Sequence, residues 1–102
     1  MLRQEKLRQE YGEALLLLLG RLLFARERPA EATEAYRKTI AHDGLQEETH
    51  RGLMRCNAAS GERGRAIRHY EDWVELLDEE LGARPAPETR ALHERLRAGE
   101  EA

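Results

Sequence analysis

The stretch Ala32-Thr33-Glu34-Ala35-Tyr36-Arg37-Lys38-Thr39-Ile40 returns 34 residues later as Ala66-Ile67-Arg68-His69-Tyr70-Glu71-Asp72-Trp73-Val74. What survives between the two copies is one helical face. Ala32, Tyr36 and Ile40 stand four apart and recur as Ala66, Tyr70 and Val74. The echo continues upstream, with Leu19 returning as Leu53 and Ala25 as Ala59. A fixed period of this length marks a helix–turn–helix unit that stacks on copies of itself to complete its core. Arrays of that kind present a surface to a partner, so function is expected in a groove and not in a catalytic cluster.

The rest of the chain agrees with helices. Its 102 residues bound it to one domain. Leu and Ala dominate the apolar share and β-branched residues are scarce, which excludes a sheet. The fold class expected is all-α. A net charge of −3 excludes an electrostatic clamp for nucleic acid over the domain as a whole. One cysteine, Cys56, leaves no internal disulfide, and no Cys/His grouping has zinc-finger spacing. A reducing, cytoplasmic setting follows, with no cofactor and no metal. The apolar run Ala14–Leu19 is broken by Gly20 and Arg21, too short for the ~20 residues of a membrane span. It follows a charged stretch and does not resemble a secretory signal.

Five helices are predicted. The first, ending near Ala25, carries the stripe Leu7, Tyr11, Leu15, Leu18 and Leu22, with Leu16, Leu19 and Leu23 on an adjacent face. Two stripes call for neighbours on two sides. Pro29 opens the second helix, to about Ala41. Asp43 and Gln46 have the form of a capping box that starts a third helix near Leu45, with Leu45, Thr49, Leu53 and Cys56 inward and an end at Ser60-Gly61. The fourth runs from about Arg63 to Leu81 with Ala66, Tyr70, Trp73, Leu77 and Leu81 inward, stopped by Gly82. Pro87 and Glu88 open a last helix bearing Leu92 and Leu96. The domain is expected over 1–98, as units of about 13–46 and 47–80 and a capping helix of about 87–98. Residues 99–102 are expected to fray.

These positions resemble the tetratricopeptide repeat. Leu16, Leu19, Gly20, Leu23, Ala32 and Tyr36 fill its slots in the first unit, and Leu53, Ala66 and Tyr70 in the second. Met54 stands where Gly20 stood and Asn57 replaces an apolar residue, so the second unit should pack more loosely. A narrower resemblance spans roughly Leu7 to Leu96. It is carried by Asp43-Gly44-Leu45-Gln46-Glu47-Glu48, His50-Arg51-Gly52-Leu53-Met54-Arg55, Ala58-Ala59-Ser60-Gly61, Leu76-Leu77-Asp78-Glu79-Glu80-Leu81-Gly82, and Pro85 with Pro87-Glu88-Thr89 and Leu92. It is similar to the bacterial transcriptional activator domain, with Asp43-Gly44 in place of the usual Asp-Pro. The resemblance implies a tetratricopeptide-like right-handed superhelix of two hairpins plus a C-terminal capping helix. In that family the helical domain follows a winged-helix DNA-binding domain. No winged helix is present in this sequence, which looks like the latter part of the helical domain, so DNA binding is not carried over.

The implied function is protein–protein contact in a bacterial transcription regulator, by self-association or by docking on the transcription machinery, without catalysis. The alternatives are a stand-alone tetratricopeptide adaptor for a peptide and a sensor for a small anion. The array geometry places Leu17, Arg21, Phe24, Glu48, Arg51 and Arg55 in a partner groove suited to a hydrophobic anchor and a carboxylate. If nothing upstream covers the first helix, the face of Leu7, Tyr11, Leu15, Leu18 and Leu22 is exposed and a two-fold homodimer is expected.

The chemically suggestive residues have plainer readings. Tyr36, Tyr70 and Trp73 fall at core spacing and not on a base-stacking platform. His42, His50, His69 and His93 do not pair at i, i+4 as ligands would. The acidic pairs Glu47-Glu48, Asp78-Glu79-Glu80 and Glu100-Glu101 lie at helix starts, on solvated faces or in the tail. Only Arg63, Arg65, Arg68 and His69 leave two readings open: a solvated face, or a site for an acidic helix or DNA phosphate.

Overall fold

A computed structural model describes residues 2–99, with side chains from Tyr11 onward. It contains α1 (Leu2–Ala25), α2 (Pro29–His42), α3 (Glu47–Ala59), α4 (Arg63–Leu81) and α5 (Pro87–Arg97), and no strand among the described residues. Each helix packs on the next. In addition α1 touches α3 and α3 touches α5, while α2 and α4 do not meet. The result is two layers, α1-α3-α5 and α2-α4, in a body 18 Å thick by 50 Å long. That thickness is about two helix diameters.

The turns show why the period holds. Glu27 and Gly61, 34 residues apart, both adopt positive φ, at 60° and 78°. In each turn the next N–H reaches back to a carbonyl five residues earlier, Arg28 to Leu23 and Glu62 to Asn57. The residue with positive φ itself donates three residues back, Glu27 to Phe24 and Gly61 to Ala58. Both hairpins are therefore closed by one Schellman turn at one register. Pro29 and Pro87 occupy the first helical positions of α2 and α5. There the missing N–H costs nothing and the fixed φ favours the helix. Gly82 ends α4 in the left-handed region.

Two apolar clusters share α3. On one side Ala32 and Tyr36 of α2 meet Leu53 and Cys56 of α3, with Leu17, Leu23, Phe24 and Ile40 packed around them. On the other, Met54 of α3 and Ala66 of α4 meet Leu92 and Leu96 of α5, joined by Ala58, Ile67 and Tyr70. The repeat partners Ala32 and Ala66, and Tyr36 and Tyr70, thus fall one in each cluster. Tyr36 belongs to the cluster between α1 and α3, and Tyr70 to the one between α3 and α5. They differ in depth. Tyr36 is buried against Gly20 and Gly52. Met54 fully occupies the place corresponding to Gly20, and Tyr70 is only partly buried, stacked on His93 at 3.8 Å between centroids.

Three expectations need correction. α3 starts at Glu47, because Asp43 closes a tight turn instead of capping a helix. Its Oδ1 accepts the Leu45 N–H and its Oδ2 the Gln46 side-chain amide. Leu45 is consequently exposed. Leu81 is exposed as well, at the last position of α4 before Gly82. Leu19 is 45% exposed although its counterpart Leu53 is buried. α3 has helices on both sides; among the described residues α1 has a neighbour on only one of its two greasy faces.

Candidate functional site

The uncovered side of α1 is an apolar surface. Tyr11, Leu15, Leu18 and Leu22 follow one another at helical spacing, and each exposes half or more of its area. Leu19 borders them. Leu7, the remaining member of the expected stripe, lies outside the residues whose side chains are described. Most side chains of this size in a folded domain are inside, so a continuous row of them outside is the informative observation.

A hollow of about 310 Å³ opens between α1 and α3, lined by Arg21 and Phe24 of α1, Tyr36 of α2, and Glu48, Gly52 and Arg55 of α3. Four of the six expected groove residues therefore converge. Leu17 packs against the first cluster and is partly buried. Within the hollow Arg21 donates to Glu48, which holds the Arg21 guanidinium above its ordinary range. That leaves Arg55 as the cation free of a carboxylate among the described residues lining this hollow.

Arg51 belongs elsewhere. Its Nη1 donates to Thr89 Oγ1 at 3.1 Å, and Glu47 and Glu88 lie within 3.8 and 3.5 Å. Glu47 in turn accepts the Ala86 N–H at 2.6 Å and the Thr89 hydroxyl. These groups fasten the start of α3 to the Pro85-Ala86-Pro87 connector, with Pro85 buried. Arg51 thus positions α5 and does not face the hollow. The one signal for it was the i, i+4 spacing from Glu47; Thr89 is 38 residues away and gave none.

On the opposite layer, the gap between α2 and α4 forms a furrow of about 420 Å³ floored by α3. Its lining includes Arg37, Arg65, Arg68, Asp72 and His69, with Leu53 and Asn57 beneath. Arg63 is not part of it and donates instead to the Gly99 carbonyl at 3.2 Å. Below the furrow His69 meets His50, which stacks on Trp73 at 3.9 Å. A carbonyl can only accept, so His50 Nε2–H donates to Gly44 O at 2.7 Å. His50 Nδ1 then accepts from His69 Nε2–H at 2.8 Å. Both rings are neutral in this arrangement. Burial pushes both below the ordinary imidazole range, His69 to about 4 with the neighbouring His50 adding to the effect.

Burial also pushes the Cys56 thiol up, which disfavours the reactive thiolate. Among the described residues no three His, Cys, Asp or Glu side chains come together as a metal cage, and no helix is long and apolar enough to cross a membrane. The geometry is that of surfaces: an apolar face, a mixed hollow and a charged furrow.

The family model described as bacterial transcriptional activator domain matches residues 2–97. No curated protein and no solved structure matches the chain significantly.

Proposed function

Because this chain belongs to the bacterial transcriptional activator domain family, we propose that it is the protein-docking part of a cytoplasmic transcription regulator and acts by binding alone. In this reading the two hairpins and α5 are a tetratricopeptide-like right-handed superhelix. The turns at Glu27 and Gly61, one period apart, and the paired clusters on either side of α3 support it.

The observation that carries the proposal is the α1 face. Along it Tyr11, Leu15, Leu18 and Leu22 each leave half or more of their surface in solvent, a continuous apolar row of the kind that marks an interaction site. A second copy is the simplest occupant, since a two-fold pairing of α1 with itself would cover the same leucines on both sides. The hollow at Arg21, Phe24 and Arg55 then remains open to a peptide of another protein. Its Arg21–Glu48 pair argues against a small-anion sensor, because half of its guanidinium charge is already neutralised.

The test is a triple substitution of the face, Leu15→Glu, Leu18→Glu and Leu22→Glu, followed by light scattering. The unaltered chain is expected to exceed monomer mass and the variant to fall to it with its helical circular dichroism intact. Identical masses for the two would contradict the reading.

A further inference from the structure

The α2–α4 furrow is built unlike the rest of the surface. Its walls stand apart because the helices of that layer do not touch, and its floor is the back of α3. Asn57 lies in that floor, 5% exposed, where the repeat pattern would place an apolar residue. Beside Leu53, its side-chain amide offers the furrow both a donor and an acceptor.

The charges around it have an order. Arg65 and Arg68 line the early part of the α4 wall, Arg37 stands on α2, and the acidic side chains of the α4 wall follow at positions 71 and 72. All three guanidinium groups are exposed. Among the described residues Arg65 and Arg37 pair only with local carboxylates, Glu62 just before α4 at 3.0 Å and Glu34 of α2 at 3.7 Å. Exposed pairs of that kind contribute little and exchange readily for a better-placed acceptor. Arg68 has no ion-pair partner among the described residues.

We propose that this furrow is a docking groove for an acidic peptide segment of a partner protein. The segment's carboxylates meet Arg37, Arg65 and Arg68, its backbone amide pairs with Asn57, and one apolar side chain rests on Leu53. The furrow favours a polypeptide over nucleic acid because it carries both signs of charge along its length. A phosphate backbone is negative throughout and would meet the carboxylates of the α4 wall, as well as a net charge of −3 on the chain. A peptide can change sign or lose charge where the wall does. Arginine suits the role, since its planar fork binds carboxylates through two parallel hydrogen bonds.

This proposal rests on the reading of the domain as a protein-docking module and names the chemistry of one partner. Its test uses the full ¹⁵N-labelled chain and a capped, helix-forming peptide of about twelve residues, with glutamates four apart flanking a leucine. The expected result is chemical-shift change concentrated on the Asn57 side-chain amide and the Nε–H groups of Arg37, Arg65 and Arg68. Arg65→Glu with Arg68→Glu should weaken binding about tenfold or more, and Asn57→Leu should weaken it without lowering thermal stability. The proposal is overturned if the peptide causes no shifts at millimolar concentration, or if its glutamine counterpart binds equally. It is equally overturned if an oligothymidylate binds the furrow in preference, or if the shifts fall on Arg21 and Arg55. Failure here leaves the α1 face untouched, because light scattering of the leucine variant reads that face independently.

Discussion

The ring of Tyr36 lies 2.5 Å from where a Cβ on Gly52 would stand. Gly20 faces the same ring from α1, at 3.0 Å for its own imagined Cβ. Two glycines on neighbouring helices thus make the slot that lets one tyrosine join α1, α2 and α3. The contact is the keystone of the first cluster.

Gly52→Ala should therefore destabilise the domain by about 2 kcal/mol, the cost of overpacking a core that cannot expand freely. Gly20→Ala should cost less, since its clearance is greater by half an ångström. Urea unfolding of both variants checks the order. A neutral Gly52→Ala would mean that Tyr36 is free to move aside.

Glu27 makes the turn that Gly61 makes one period later, but with a side chain at φ 60°. An L-residue there pays a steric cost that glycine avoids. Glu27→Gly is expected to stabilise by about 0.5 kcal/mol after the added freedom of the unfolded chain is counted. Gly61→Ala should destabilise by about 1 kcal/mol at the equivalent turn. Thermal melts of the two variants should shift in opposite directions.

Glu47 ties the connector before α5 through Ala86 and Thr89. Glu47→Ala removes the carboxylate oxygen that accepts both bonds and should cost about 1–3 kcal/mol. The loss should be local. Hydrogen exchange is expected to speed up in α5 while α1 and α2 keep their protection.

The buried His50–His69 pair makes stability pH-dependent. Both rings are neutral in the folded chain, with His69 lowered to about 4, whereas in the unfolded chain they take up protons near 6.5. The unfolded state therefore binds more protons below that value, and stability falls as the pH drops from about 6.5 toward 4. Above 6.5 the pair's contribution is fully present. Urea midpoints measured across this window should decline, and His69→Phe, which takes up no proton, should flatten the decline.

Much of this was legible from local signals. Pro29, Pro87, Gly61 and Gly82 mark helix ends by chemistry that acts within a turn, and the boundaries there agree. Asp43 and Gln46 misled because an aspartate can satisfy a turn and a helix start with nearly the same hydrogen bonds, and only the backbone beyond decides. Leu19 and Leu53 are the same residue at the same register, yet one is half exposed, since burial depends on neighbours that the period cannot count. At the hollow, Arg21, Phe24, Glu48 and Arg55 were found by repeat geometry. Arg51 was drawn away by Thr89 and Glu88, partners remote in sequence, and the His50–His69 contact spans 19 residues with no pattern to announce it.

Sedimentation equilibrium of the unaltered chain, from micromolar to several hundred micromolar, tests most directly whether the leucine face of α1 is an interface. A mass that rises with concentration toward twice 11.8 kDa is the predicted result. A constant 11.8 kDa across the whole range would contradict the account.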